Sequence, residues 1–436
     1  MASLLSTKPY KGSRDFYPEE MRQRQWMFGI LRKTAESFGF EPYDAPVIEP
    51  IDIYLAKTSE EIVNTQIYSF LDRGDRKVAI RPEMTPTVSR MVAAKIRELP
   101  KAIKWYSIPN LWRYEKPGKG RLREHWQLNC DIFAAQDEFL ADLEILQMSV
   151  SLLKNFNASE KMFKVQINHR GILNHVFGEI LNIPAKNQAA VARIMDKKAK
   201  ITSEAFKSSL LELGLIESQI NDIYNFLDGG FSYLENHDTA SKNEGFLYLK
   251  KIIMALNAIG LSNFVEYDPG IVRGFNYYTG MVFEVFDLHP ENNRSLFGGG
   301  RYDNLVGSFV KESANAVGFG MGDVTLKEFL ASHNLLEQTK SKTQIFIVSF
   351  DNENTKIKNF ILVQKLRQQG FNVELSLSTQ KLGKQLQDAE KKGALVAIIQ
   401  GEDEINNNTF LVKNIQDRSQ EEISQEKLMH YLRDLI

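Results

Sequence analysis

The chain has 436 residues, 43% of them apolar, 25% charged and 11% aromatic, which at ~100 to 200 residues per domain predicts several domains and describes a globular protein, not a disordered or collagenous one. No apolar run reaches the ~18 residues of a membrane-spanning helix, and only Leu4 and Leu5 stand where a secretory signal needs ~7 to 15 apolar residues, so a cytoplasmic protein is expected. The lone Cys130 excludes an intramolecular disulfide and a cysteine-based zinc site, the seven histidines lack metal-ligand spacing, and 54 basic against 55 acidic side chains make any nucleic-acid binding local.

Trp26, Met27, Ile30, Leu31, Thr34 and Phe38 recur at helical spacing between Pro18-Glu19-Glu20 and Gly39, which predicts an amphipathic helix with acids in its first turn. A proline-punctuated extended stretch follows from Phe40 to Pro50. Residues 76–133 contain short strands rich in Ile, Trp and Tyr, broken by the loop Lys116-Pro117-Gly118-Lys119-Gly120, which predicts a hairpin. From 172 to 257 the pattern turns helical, with Leu210, Leu211 and Leu213 in one segment and Phe246, Leu249, Ile252, Ile253 and Leu256 in another; this reads as a helical insertion. Strand-like sequence and glycine clusters return between 270 and 326, and 332–342 is a polar linker. The last hundred residues alternate strands with helices ending at Gly370 and Gly393, with a turn at EDEINNN, which predicts a separate α/β domain with a parallel-dominated sheet.

The stretch Arg113 to Phe133 is the most informative. As a strand, Arg123 to Phe133 places Arg123, His125, Gln127, Asn129 and Asp131 on one face and Trp126, Leu128, Cys130 and Ile132 on the other. Such a polar face on an antiparallel sheet is often merely solvated. The loop beside it argues for more: Arg113, Lys116, Lys119, Arg121 and Arg123 stand against one acid, Glu115, and guanidinium groups suit phosphate oxygens. Arg81-Pro82-Glu83-Met84-Thr85-Pro86 sets a carboxylate and a hydroxyl two residues apart between prolines, a weak pattern for holding an ammonium group. Gly298-Gly299-Gly300 and Gly318-x-Gly320-x-Gly322 lack a phosphate-loop lysine and a dinucleotide context, so close backbone packing explains them. Val272-Arg273-Gly274-Phe275-Asn276-Tyr277-Tyr278-Thr279-Gly280 brings an arginine and two tyrosines to the mouth of an apolar strand, where pockets form.

Taken in order, RPEMTP, RYEKPGKGRLREHWQ, VRGFNYYTG, GGGRYD and AVGFGMG resemble the successive motifs of histidyl-tRNA synthetases, class II aminoacyl-tRNA synthetases, from about Tyr10 to the C-terminus. The resemblance implies an α+β fold: an antiparallel sheet flanked by helices in 1–171 and 258–331, the helical insertion 172–257, the linker 332–342, and an α/β anticodon-binding domain in 343–436. It implies ATP-dependent ligation of L-histidine to the 3' end of tRNA(His) through histidyl-adenylate, with release of AMP and pyrophosphate. Glu83, Met84, Thr85 and Gln127 resemble residues around the substrate α-ammonium group. Asp131, where the family usually has glutamate, faces the imidazole, with Tyr278 as its partner and Tyr277 and Tyr302 nearby. Arg113 and Arg273 resemble the arginines at the α-phosphate; Glu115, Arg121 and His125 are expected around ATP, with Mg2+ bridging its phosphates. Lys116, Gly118 and Lys119 are expected near the tRNA acceptor end, and the first helix with Pro46 and Pro50 resembles a homodimer-forming motif.

Two positions depart from the family pattern. Its GxGxGxxR motif ends here in Thr325, a neutral residue where an arginine normally clamps ATP, and the aromatic that stacks on adenine is His125, with Trp126 pointing away. Thr325 is what a non-catalytic paralogue would show, such as the regulatory subunit of ATP phosphoribosyltransferase or a sensor of uncharged tRNA; retention of Arg113, Arg273 and the last domain opposes that reading. Arg273 with Tyr277, Tyr278 and Asp131 argues against a synthetase for proline, threonine or glycine, and a plain RNA-binding protein would leave the pocket residues without purpose. Residues 343–436 hold 12 basic and 13 acidic side chains, so no charged patch marks the anticodon side.

Overall fold

The structure is a computed structural model and describes residues 4–55, 58, 62–118, 120–198, 201–272, 278–292, 294–378 and 380–436. Its contacts divide the chain into two units, Met1–Asp15 with Met27–Leu336, and Phe16–Trp26 with Glu337–Ile436.

The first unit is built on one large sheet. Helix α1 (Pro18–Ser37) precedes it, opening with Glu19 and Glu20 near its dipole's positive end and burying Met27, Phe28, Leu31, Thr34 and Ala35. Strands β1 (Glu41–Pro42), β2 (Ile48–Pro50), β3 (Tyr68–Leu71) and β4 (Lys77–Ile80) follow, with the short helix α2 (Asp52–Leu55) between β2 and β3. The order β2-β4-β3 makes a small antiparallel sheet of its own. Helix α3 (Thr85–Lys95) adds to the strands of 76–133 a helix that their pattern does not predict. Its prolines misled the pattern: Pro86 sits in the first turn, where a missing N–H costs nothing. Strands β5 (Ile103–Ser107), β6 (Asn110–Trp112) and β7 (Glu124–Phe133), helix α4 (Glu138–Lys154) and strand β8 (Phe163–His169) complete the first stretch.

The segment read as an insertion is helical: α5 (Arg170–His175), α6 (Ala185–Met195), α7 (Ser203–Glu212), α8 (Glu217–Asn236) and α9 (Glu244–Ala258), with no strand among its described residues. The chain then returns to the sheet through β9 (Val265–Tyr267), β10 (Met281–Asp287), β11 (Ser295–Arg301) and β12 (Ala316–Gly322), and leaves by α10 (Asp323–Ser332). The sheet runs β1-β5-β7-β12-β11-β10-β8-β9, with β6 added to β7. Pairing is antiparallel except at the two ends, β1 on β5 and β8 on β9. Helices α4, α9 and α10 pack on it. One face is largely apolar: Leu128, Cys130, Ile132, Phe319, Met321, Phe283, Val285, Val165 and Ile167 are all buried. The other face carries Gln127, Asn129 and Asp131.

The second unit holds β13 (Ile345–Ile347), α11 (Glu353–Gln368), β14 (Val373–Leu375), α12 (Leu382–Lys391), β15 (Val396–Ile399), α13 (Glu402–Asn407), β16 (Thr409–Asn414), β17 (Gln420–Ser424) and α14 (Leu428–Leu435). Its sheet, β14-β13-β15-β16-β17, is parallel at two pairings and antiparallel at the other two. The parallel-dominated expectation is therefore corrected, because β17 was not recognised: Gln420-Glu421-Glu422 is polar and exposed, with no apolar alternation to reveal it. The expected turn at EDEINNN is helix α13, whose Glu402, Asp403 and Glu404 favour a helix N-terminus and which Asn408 ends at φ 54°. Among the described residues no helix is long and apolar enough to cross a membrane.

Candidate active site

Register makes the polar face of β7 into a pocket wall. Asp131 lies opposite Gly318, Asn129 opposite Gly320 and Gln127 opposite Gly322, while Gly298 and Gly300 of β11 stand opposite Gly320 and Gly318. Paired residues share a face, so glycines floor a trough beside Gln127, Asn129 and Asp131. The floor cannot carry side chains: a Cβ on Gly318 would lie 2.1 Å from Asp131 Oδ1, and one on Gly320 2.2 Å from Gln127 Nε2. On β11, a Cβ on Gly300 would meet Tyr278 Cδ1 at 2.9 Å. The glycine clusters make room for particular neighbouring side chains, beyond the close packing expected of them.

The platform is not solvated. Asn129 and Asp131 are each 2% exposed, and Gln127 Nε2 donates to Asn129 Oδ1 at 2.7 Å. The Tyr302 hydroxyl donates to Asp131 Oδ1, while Asp131 Oδ2 is buried with no hydrogen-bond partner among the described residues. Burial pushes the Asp131 carboxyl up to about 7, with the Tyr302 hydrogen bond pulling the other way. A carboxylate oxygen in that state is an acceptor waiting for a donor.

Two further segments carry candidate site residues. Arg113 Nε donates to Pro82 O at 2.9 Å, which ties the hairpin to RPEMTP. Thr58 Oγ1 donates to Glu83 Oε1 at 2.6 Å; Met84 is fully buried and occupies the N-cap of α3, and Thr85 starts that helix. The hairpin closes by Arg113 N–H to Arg123 O at 2.8 Å and by the Gly118–Arg121 bridge, and its tip is pinned where Gly120 N–H donates to Glu328 Oε1 at 2.8 Å. Arg121 Nη1 lies 3.8 Å from Glu115 Oε2, and Lys116 and Gly118 are exposed. His125 is held neutral: burial first, then the charges of Arg113 and Arg14, depress its pKa to about 3. Lys119, Arg273 and Tyr277 lie outside the described residues.

Thr325 turns its hydroxyl to backbone, donating to Leu296 O at 2.8 Å and lying 3.1 Å from Gly322 O. Two residues earlier, Asp323 accepts from Trp126 N–H at 2.9 Å and from Arg14 Nη2 at 2.8 Å. Sequence reasoning passed over Arg14, Tyr43 and Ser107. The only signal was indirect: Ser107 shares the alternation of Ile103 and Trp105, which the β5–β7 pairing turns toward Asp131. Among the described residues no group of three His, Cys, Asp or Glu side chains converges on a metal position.

An antiparallel sheet with a polar trough, an arginine-bearing hairpin leading into its strand β7, an inserted helical segment and a separate α/β unit is the build of a class II aminoacyl-tRNA synthetase. The family profile described as histidyl-tRNA synthetase matches residues 12–325, and the one described as anticodon binding domain matches 344–435. A histidine–tRNA ligase of Leptospira biflexa is 47% identical over 417 residues, 95% of each chain. A crystal structure of histidyl-tRNA synthetase from Nostoc sp. PCC 7120 matches at a TM-score of 0.83 and 25% identity, over 99% of this chain and 100% of that one. An ATP phosphoribosyltransferase regulatory subunit/histidyl-tRNA synthetase from Bacillus halodurans C, at a TM-score of 0.74 and 22% identity over 92% and 99% of the chains, shares the fold. The chain belongs to the histidyl-tRNA synthetase family. It is an aminoacyl-tRNA ligase, and tRNA, histidine and ATP are its substrates.

Proposed function

We propose that the chain joins L-histidine to the 3' end of tRNA(His) in two steps at the trough of the large sheet. Histidine's carboxylate attacks the α-phosphate of ATP, giving histidyl-adenylate and pyrophosphate; the terminal 3'-hydroxyl of the tRNA then attacks the adenylate carbonyl and releases AMP. The observation that carries this reading is the buried Asp131, with one oxygen held by Tyr302 and the other without a partner among the described residues, above a glycine floor. An imidazole N–H, directly or through one water, satisfies that oxygen, and an isostere without it would leave a buried acceptor unpaired.

Glu83, Thr85 and Gln127 hold the α-ammonium group, and Tyr277, Tyr278 and Tyr302 enclose the ring. Arg113 and Arg273 stabilise the charge that develops as two anions meet, which lowers the barrier more than it tightens ground-state binding. Glu115, Arg121 and the neutral His125 take ATP, with Lys116, Gly118 and Lys119 near the acceptor end of the tRNA. Magnesium would neutralise charge at the ATP phosphates; Glu115, which faces Arg121, is the hairpin carboxylate that would hold it. The protein works in the cytoplasm as a homodimer, and the exposed Ile48, Phe70 and Leu71 of the small sheet suit a face covered by the second copy.

The test is ATP–pyrophosphate exchange with each of the twenty amino acids and no tRNA. Exchange with histidine alone is expected. No exchange from folded protein that binds histidine would favour the second reading, a non-catalytic paralogue, for which Thr325 is the supporting observation.

A further inference from the structure

Asp131 Oδ2 does not stand alone. The hydroxyls of Ser107 and Tyr43 are also buried without a hydrogen-bond partner among the described residues. Buried polar atoms in that condition are few in any protein and costly, so three on one side of one sheet need an explanation. The β5–β7 register sets Trp105 opposite Asp131 and Ser107 opposite Asn129, which makes Ser107 a diagonal neighbour of Asp131 on the pocket face. Tyr43 continues β1 along β5, its N–H donating to Tyr106 O at 2.9 Å and its ring 5.8 Å from that of Trp105. Burial and then the charge of Asp131 raise the Tyr43 phenol pKa well above its ordinary value, while the Ser107 hydroxyl acts in the opposite direction. The Tyr43 and Ser107 hydroxyls therefore lie within reach of each other, and Tyr43 lies in the field of Asp131.

We propose that Tyr43 and Ser107 are specificity residues of the histidine pocket, holding with Asp131 one buried water that accepts the imidazole N–H of the substrate. The inference rests on the reading of Asp131 as the imidazole acceptor. Buried waters typically make about three hydrogen bonds to otherwise unsatisfied groups, and this corner supplies three. Tyr302 occupies Oδ1 and fixes the orientation of the carboxylate, so the short aspartate side chain leaves Oδ2 to be reached through the bridge. A substrate side chain of similar shape but lacking an N–H would strand the water and its partners together.

The experiment is histidine-dependent ATP–pyrophosphate exchange on full-length Tyr43→Phe and Ser107→Ala variants, in the wild-type and Asp131→Glu backgrounds. In the wild-type background each substitution is expected to raise the Michaelis constant for histidine by about tenfold, the effect of one lost hydrogen bond, with that for ATP unchanged. The extra methylene of Asp131→Glu reaches the water's place, so in that background the same substitutions should matter little. An unchanged histidine constant in both single variants, or equal effects in the two backgrounds, would overturn the proposal. Failure of the underlying reading looks different: the wild-type protein itself would show no histidine-dependent exchange.

Discussion

Asp131 shows how far one residue's chemistry depends on its surroundings. Burial raises its carboxyl to about 7, above the ~4 of an unfolded aspartate. Between those values the folded protein retains a proton that the unfolded chain has lost. Its contribution to stability is therefore complete below about pH 4 and is lost as the pH rises through 7. Asp131→Asn, which cannot ionise, should lose stability relative to wild type at pH 5 and recover it at pH 8, read from urea denaturation midpoints; a difference that does not vary with pH would place the titration elsewhere. The same substitution should raise the Michaelis constant for histidine with the fold intact. His125 has the opposite sign: its pKa, depressed to about 3, keeps the ring neutral at physiological pH and leaves it an uncharged aromatic surface suited to a base. The alternation of Arg123 to Asp131 was legible in the sequence, because a strand's period fixes which side chains share a face. That this face is buried was not, since burial depends on strands far along the chain.

Strands β11 and β12 act as a floor, and their glycines differ in what they tolerate. A Cβ on Gly318 would meet both Asp131 Oδ1 at 2.1 Å and the Cys130 backbone oxygen at 2.6 Å, whereas on Gly320 it would meet chiefly the movable end of Gln127. Gly318→Ala should thus cost more stability than Gly320→Ala and abolish exchange, while Gly320→Ala should mainly weaken substrate binding; thermal denaturation with exchange kinetics distinguishes them. Behind the floor, Arg301 at the end of β11 donates to Asp142 Oδ1 at 2.5 Å and to Glu138 O at 2.9 Å, with side-chain exposures of 6% for Arg301 and 0% for Asp142. Tyr248 of α9 donates to the same Asp142 at 2.7 Å. Removing one member of a buried ion pair leaves an unpaired charge, so Arg301→Met is expected to cost about 3 to 5 kcal/mol, against about 1 to 3 kcal/mol for Tyr248→Phe, measured by chemical denaturation. Both the glycine clusters and the tyrosine of GGGRYD were visible in sequence, but their partners were not: Gly318 and Asp131 lie 187 residues apart and meet only through strand pairing.

At the scale of the whole molecule, the proposed homodimer gives a direct expectation. Phe70 and Leu71 are 44% and 64% exposed on β3, and a combined Phe70→Lys and Leu71→Lys substitution should shift sedimentation from dimer to monomer; an unchanged dimer would move the interface to another face. The order of segments, from first helix through inserted helices to alternating strands and helices, follows from local periodicity and the placement of Gly and Pro, because secondary structure is chosen over short stretches of chain. Three local readings failed for local reasons: the prolines that begin α3, the acids that begin α13 and the polar edge strand β17. The motifs named the family's chemistry because catalytic groups need fixed residue types at fixed spacings. Which of those groups meet, which oxygen of Asp131 lacks a partner among the described residues, and that Tyr43 and Ser107 stand beside it depended on register between strands distant in sequence. Contacts of that kind are set by packing of the complete sheet, and no window of the chain contains them.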